Sequence, residues 1–319
     1  MTATRDLETS GDGPEPPSGR QFPITHGDQR ATVVEVGGGL RQYGIAGREV
    51  LDGYPAENRC TGARGLPLIP WPTRIRDGAY TFGGHDHQLP LTEPDKRNAI
   101  HGLLRWCNWT CRQQSADQVV MGTVLHPMMG YPFTLDVSVD YRLSDTGLTV
   151  RTTATNLGDR PCPYGAGQHP YLTVGTPIID PCHLELSAGW WLPTDERGLP
   201  TGAAEVAGSA LDFRAGRVIA GQDIDSTFTD LTRDDDGMAW VRLTGPDGWQ
   251  AAVWADDRYP FLELYTSHTQ PDPHWRTGLG VEPMTCAPNA FRTGDGLIRL
   301  APGESDVATW GAHAGQAAQ

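Results

Sequence analysis

The sequence predicts an all-β protein, a sandwich of large, mostly antiparallel sheets with a concave face. Two observations carry this. The first is periodicity. From Phe133 to Leu143 every odd position is apolar and every even position polar, the mark of a strand with one dry and one wet face. The second is turn chemistry spread along the whole chain. Its 319 residues include 39 glycines and 26 prolines, a density of chain breakers that excludes a coiled coil or helical bundle. No segment holds a helical apolar period long enough to count.

Taken in order, residues 1–20 are polar and rich in Gly, Pro, Ser and Glu, and read as a disordered tail. Strand patterns follow at Thr32–Val36 and Gln118–Leu125. The Phe133–Leu143 strand turns through Ser144-Asp145-Thr146-Gly147 into Leu148–Asn156, a hairpin. A second hairpin runs from Met238–Leu243 through Gly245-Pro246-Asp247-Gly248 into Trp249–Trp254. Phe261–Tyr265 and Leu297–Leu300 are further strands. Leu103–Arg112 fits neither period. With no linker or charge block in between, residues 21–311 read as one domain and 312–319 as a loose, small-residue tail. The domain far exceeds an immunoglobulin-type sandwich of about 100 residues, so its sheets must be large. A broad twisted sheet offers a concave face for a ligand.

Composition narrows the function. A formal charge of −14 repels phosphate backbones and anionic lipid, and no basic stripe offsets it. No apolar run approaches the length of a membrane-spanning helix. Lys96 is the one lysine among 25 basic residues, so a P-loop cannot be written. Lys96 itself lies in a polar stretch read as a loop, a poor place for a Schiff base. The six cysteines form no Cys-x-x-Cys pair, and the N-terminus lacks the pattern of a secretory signal. A cytoplasmic protein with reduced thiols, and a monomer, are the expectations.

Without a nucleotide loop, a metal signature or a nucleophile elbow, acid–base work remains. His101 follows apolar Ile100 and precedes Gly102, which permits close backbone approach; a core histidine beside a turn has the same pattern. His169 lies between Gly165-Ala166-Gly167 and Pro170-Tyr171, its backbone held extended by the proline. Glu282, a lone carboxylate between Val281 and Pro283-Met284, is a candidate for raised basicity through desolvation. Asp225 stands in an acid-rich loop, and Arg74 follows Trp71-Pro72-Thr73 with a forked guanidinium suited to hydroxyls or an anion. Each pattern also describes an ordinary loop or surface residue. His85-Asp86-His87 reads as a solvated strand rather than a metal site, and Asp234-Asp235-Asp236-Gly237 as a turn.

In sequence order these segments resemble the aldose 1-epimerase (galactose mutarotase) family, from about Thr32 to about Trp310. Pro70-Trp71-Pro72-Thr73-Arg74-Ile75 with Asp77-Gly78 and Tyr80 is similar to the family's Asn-Arg-Ile segment, with Thr73 where asparagine is common. Asn98-Ala99-Ile100-His101-Gly102 is similar to its Asn-x-x-His-Gly motif, and His169-Pro170-Tyr171 to its second histidine motif. Leu192-Pro193-Thr194-Asp195-Glu196 with Leu199-Pro200-Thr201-Gly202, Asp225 with Phe228, and Glu282-Pro283-Met284-Thr285 with Pro288-Asn289-Ala290-Phe291 complete the series. The resemblance implies a galactose-mutarotase-like β-supersandwich and a cofactor-independent isomerase acting on a free sugar. It implies Glu282 as base on the anomeric hydroxyl, His169 as acid on the ring oxygen, and His101 as a further donor there. Arg74, Asp225 and Asn98 would bind substrate; no metal is implied. Pro70-Trp71-Pro72 and Leu89-Pro90-Leu91-Thr92-Glu93 resemble the bacterial branch that includes sulfoquinovose mutarotase, while a neutral hexose fits the motifs equally. A non-catalytic carbohydrate-binding module on the same scaffold is the alternative from another class.

Overall fold

A computed structural model of the chain describes residues 14–317. Two large antiparallel sheets, of 12 and nine strands, face each other, with three two-stranded ribbons beside them. Alternation builds the interface. Along Leu135–Ser144 the residues Leu135, Val137, Val139, Tyr141 and Leu143 are buried. They meet Val33, Tyr43 and Val50 from the larger sheet in one core cluster. Tyrosines tie the layers at their polar ends: Tyr141 donates to the Gly38 carbonyl at 2.8 Å. Burying that hydroxyl is tolerable because it is satisfied. The one α-helix among the described residues is Ala290–Thr293. No helix is long and apolar enough to cross a membrane.

The strands read from alternation are present as Gln29–Val34, Gln118–Leu125, Leu135–Ser144, Gly147–Asn156, Ala239–Thr244, Trp249–Ala255, Phe261–Tyr265 and Ile298–Leu300. The ambiguous Leu103–Arg112 stretch is turns leading into the strand Thr110–Gln114, and Lys96 ends a 3-10 turn, Pro94–Lys96, rather than an open loop. The disordered tail expected over 1–20 is corrected at its end nearest the domain. Residues 1–13 lie outside the described residues, but Ser18 is buried and its carbonyl accepts from Val36 N at 3.0 Å.

The C-terminal tail is a correction. Residues from Ala312 continue the strand Ser305–Gln316, which lies between Gly147–Asn156 and Trp249–Ala255 in the middle of the smaller sheet. Its small residues serve close packing rather than looseness. A Cβ on Gly311 would stand 2.4 Å from the Leu148 carbonyl oxygen and 2.5 Å from the Trp254 ring. Composition alone makes such a stretch look like a tail, because neither neighbour is visible from it.

The larger sheet positions the chemistry. Asp225–Leu231, Phe261–Tyr265 and Leu279–Met284 lie side by side, then Tyr171–Leu172. Their register sets Thr227 opposite Glu263 and Glu263 opposite Glu282, three polar residues in one row across a buried sheet. Truncation after Gly311 removes the backbone partners of two strands. We expect it to lower the melting temperature by roughly 10 °C or more in a calorimetric scan; a shift of about a degree would mark the segment as dispensable.

Candidate active site

A cavity of about 560 Å³ opens at this row, lined by Asp225, Glu263 and Glu282 from the sheet and by His169 and Tyr171 from the crossing beside it. Arg74, His101 and Arg105 close another side. A larger groove of about 720 Å³ runs past Arg48 and Thr173, and no histidine lines it. The five sequence-read residues Arg74, His101, His169, Asp225 and Glu282 all line the smaller cavity.

Local backbone explains how they arrive there. Arg74–Arg76 pairs antiparallel with Asn98–Ile100, setting Arg74 opposite Ile100. His101 then adopts a positive φ of 60°, its N–H bonded to the Thr73 carbonyl at 2.8 Å. Gly102 follows because a Cβ there would lie 2.0 Å from the Ile69 carbonyl oxygen. His169 leaves the two-residue strand Gly167–Gln168 just before Pro170, and its N–H donates to the Leu66 carbonyl at 3.1 Å.

The centre is a contact between acid and base. Nε2 of His169 and Oε1 of Glu282 lie 3.1 Å apart, with both side chains about 95% shielded from solvent (5% and 4% exposed). Burial works against charge on either. It pushes the His169 imidazole down to about 3, with the nearby Arg64 and Arg105 guanidiniums adding to the effect. It pushes the Glu282 carboxyl well above the usual range, and the charge of Asp225 pushes the same way. Burial therefore favours the neutral form of each group. The His101 ring stands edge-on to His169 at 5.3 Å, and burial likewise keeps it neutral.

Glu263 escaped the sequence reading. It is buried beside Glu282, accepts a hydrogen bond from the Thr227 hydroxyl, and is pushed well above the usual carboxylate range by burial and by the charges of Asp225 and Glu282. A signal did exist. Phe261-Leu262-Glu263-Leu264-Tyr265 sets a carboxylate at the centre of a strand otherwise apolar on both faces.

Around this centre lies a supporting network. The fully enclosed Arg64 guanidinium bonds Asp52 at 3.1 Å and stacks 4.4 Å over the Tyr171 ring. Tyr171 stacks at 4.8 Å and 12° on His169 and donates its hydroxyl to the Gly62 carbonyl. The imidazole is thereby fixed in plane from one side. Arg74 donates to Glu93 from Nε at 2.9 Å and Nη2 at 3.0 Å, a fork on one carboxylate. Gly198 lies against that guanidinium, where a Cβ would meet Nη1 at 2.8 Å. The Asn98 expectation is corrected. Asn98 is wholly buried behind the cavity and donates its amide to Glu93 at 2.9 Å and to the Arg197 carbonyl at 2.9 Å. It braces the Arg74–Glu93 pair and does not line the cavity.

The donor atoms of His101, His169 and Glu282 also lie within 4.8 Å of one another, a grouping that could hold a metal ion. Two imidazoles and a carboxylate suit a divalent transition metal. No His/Cys spacing in the sequence signals it, because the three residues come from separate segments.

Glu263 yields a stability test. Its folded value is raised above the unfolded one, so its contribution is fully present below about pH 4.3 and is lost as pH rises through the folded value. Glu263→Gln, which cannot ionise, should melt higher than the parent at pH 7.5 and level with it at pH 4. Equal gains at both pH values would show that Glu263 is not held neutral.

The chain matches the family model described as aldose 1-epimerase over residues 20–310. It is 35% identical over 289 residues to the uncharacterized protein YihR of Escherichia coli K12, covering 90% of this chain and 91% of that one. Against the aldose 1-epimerase of the same organism it is 29% identical over 215 residues, 64% of this chain and 60% of that one. Its fold superposes on a GalM/aldose epimerase homologue from C. elegans with a TM-score of 0.83 at 17% identity, covering 93% and 99%. A putative aldose 1-epimerase from E. coli K12 superposes with a TM-score of 0.80 at 22% identity over the same shares. The matched span takes in the larger sheet, all but the last half of one strand of the smaller, and every residue of the cavity, and on that basis the chain belongs to the aldose 1-epimerase family.

Proposed function

We propose that the protein interconverts the α- and β-anomers of a free aldose by opening and reclosing its pyranose ring. The observation that carries this reading is the 3.1 Å contact of His169 with Glu282 inside the cavity. In a cyclic aldose the anomeric oxygen O1 and the ring oxygen O5 share one carbon. A base for the proton on O1 and an acid for O5 must therefore stand nearly in contact. A pure sugar binder has no need to bury a carboxyl against an imidazole.

Glu282 takes the proton from O1, and the electrons of that bond form the C1–O1 double bond. The C1–O5 bond breaks towards O5, which takes a proton from Nε2 of His169. The open-chain aldehyde turns about C1–C2 and offers its other face. O5 then attacks C1, returns its proton to His169, and O1 recovers a proton from Glu282. Neutral His101 stands beside His169 to donate to the same ring oxygen. Asp225 and Arg74, the latter braced by Glu93, hold ring hydroxyls and keep C1 between acid and base.

The protonation balance suits this cycle. Carboxylate with imidazolium, and carboxylic acid with neutral imidazole, hold the same number of protons. Ring opening turns the first into the second, and closing turns it back. Burial favours the second in the free protein, and a proton crossing the 3.1 Å contact supplies the first. No proton from solvent is needed in either direction.

Two outcomes are expected from anomer exchange measured by two-dimensional NMR. Glu282→Gln and His169→Gln should each lose about 10³-fold in rate with the circular dichroism unchanged; parent-like exchange in either would remove the assigned role. The pair keeps its proton count until His169 protonates at about 3, so kcat/KM should stay level down to about pH 4.5. A fall by half there would mean that Glu282 titrates as an ordinary carboxylate.

A further inference from the structure

Three cations line the cavity with no carboxylate within 4 Å among the described residues, Arg59, Lys96 and Arg105, and the one that the protein itself anchors is Arg105. Nη2 donates to the Ile100 carbonyl at 3.1 Å, which fixes the side chain one residue from His101. Nε is buried with no partner. An arginine left this way in a protein of charge −14, where Arg64, Arg74 and Arg276 all bond carboxylates, calls for an explanation. Arg59, exposed and also without a carboxylate partner among the described residues, lines the same cavity next to Cys60.

The position of Arg105 is as informative as its charge. Its field bears on His169 and on His101, and burial weakens its own hold on a proton. The charges that bear on Glu282 are those of Asp225 and Arg74. The cavity therefore has a carboxylate end, with Glu282, Glu263 and Asp225, and a histidine end with Arg105. Sugar connectivity does the rest. O5 is bonded to C1, whose O1 belongs at Glu282, and to C5, which carries C6. With O5 at His169, C6 points away from Glu282 and into the histidine end.

Resting on the mutarotase reading above, we infer that Arg105, with Arg59 at the rim, binds an anionic group on C6 of the aldose. Sulfonate, phosphate and carboxylate share the needed chemistry, oxygens that accept from a forked guanidinium. Nη1 of Arg105, with the second hydrogen of Nη2, is the donor. Selection is local, since charges more than about 8 Å away are screened at physiological salt.

The test compares glucose with 6-deoxy-6-sulfoglucose, glucose 6-phosphate and glucuronate, by anomer-exchange NMR and by calorimetric binding to the full chain. At least one 6-anionic sugar should exceed glucose in kcat/KM by at least about tenfold, and which one does so names the group. Arg105→Met and Arg59→Met should each reduce that preference about tenfold or more, chiefly through KM. Arg59 is exposed, so its variant reads the site even if loss of Arg105 disturbs folding. Glucose turned over as well as all three anions, or a preference that survives both substitutions, would overturn the inference. If no sugar exchanges but an anionic one binds better than glucose and loses that advantage in Arg59→Met, the anion site stands and the mutarotase reading falls. If no sugar exchanges and none binds in preference to glucose, both fall.

Discussion

Glu282 and His169 touch inside a cavity where almost no water reaches either side chain. Charge on one alone would be strongly disfavoured there, and charge on both is tolerable only while they stay in contact. The surrounding architecture holds them at that separation. Glu282 sits in a strand with neighbours on both sides, so its Cα cannot shift without breaking a ladder. His169 comes from the irregular crossing beside it and is held by the stacked Tyr171, which is held in turn by Arg64 and Asp52. A rigid carboxyl on a sheet and an imidazole clamped from the side give a fixed pair without any helix.

This arrangement weakens the fold that supports it. Glu282 and Glu263 face each other across adjacent strands, two carboxyls where apolar residues would pack better. Both have raised values, so both lose stability as pH rises from about 4.3; the histidines, with lowered values, lose it as pH falls from about 6.5. The two losses overlap, so the site weakens the fold throughout that range. The two large sheets and their continuous core absorb that deficit. A protein selected for stability alone would fill the row Thr227–Glu263–Glu282 with valine, and the fold would gain from it.

How much of this was legible in the sequence depends on the range of the interaction. Strand alternation is local, and Gln118–Leu125 and Phe261–Tyr265 could be read to the residue. Arg74, His101, His169, Asp225 and Glu282 were legible as motifs, and the fold brings them to one cavity. What failed was whatever depends on a partner distant in sequence. The strand through Ala312 looks like a tail because its packing against Leu148 and Trp254 leaves no trace in its own composition. Asn98 looks like a ligand contact because motif spacing does not tell a side chain that faces a cavity from one that braces its wall. Glu263 was visible as a charged centre in an apolar strand, but its meaning comes from a register with Glu282 that no local pattern specifies.

The same reasoning explains why the cavity has two ends. A proton-sharing pair binds the one carbon that carries two oxygens, and that carbon looks alike in every aldopyranose. The pair can recognise an anomeric centre but cannot choose among sugars. Discrimination has to come from groups placed where sugars differ, and they must act without disturbing the proton balance at the centre. A cation beside Glu282 with no carboxylate of its own, unlike Arg74 with Glu93, would hold it ionised and fix the pair in one form. A cation beside the histidines opposes imidazolium, which reinforces the neutral resting form that burial already favours. Placing Arg105 at the histidine end is therefore compatible with the acid–base cycle as well as with recognition. An anion bound there would offset the cation's field and ease protonation of His169, so that a charged substrate would bring its own correction to the acid that acts on it.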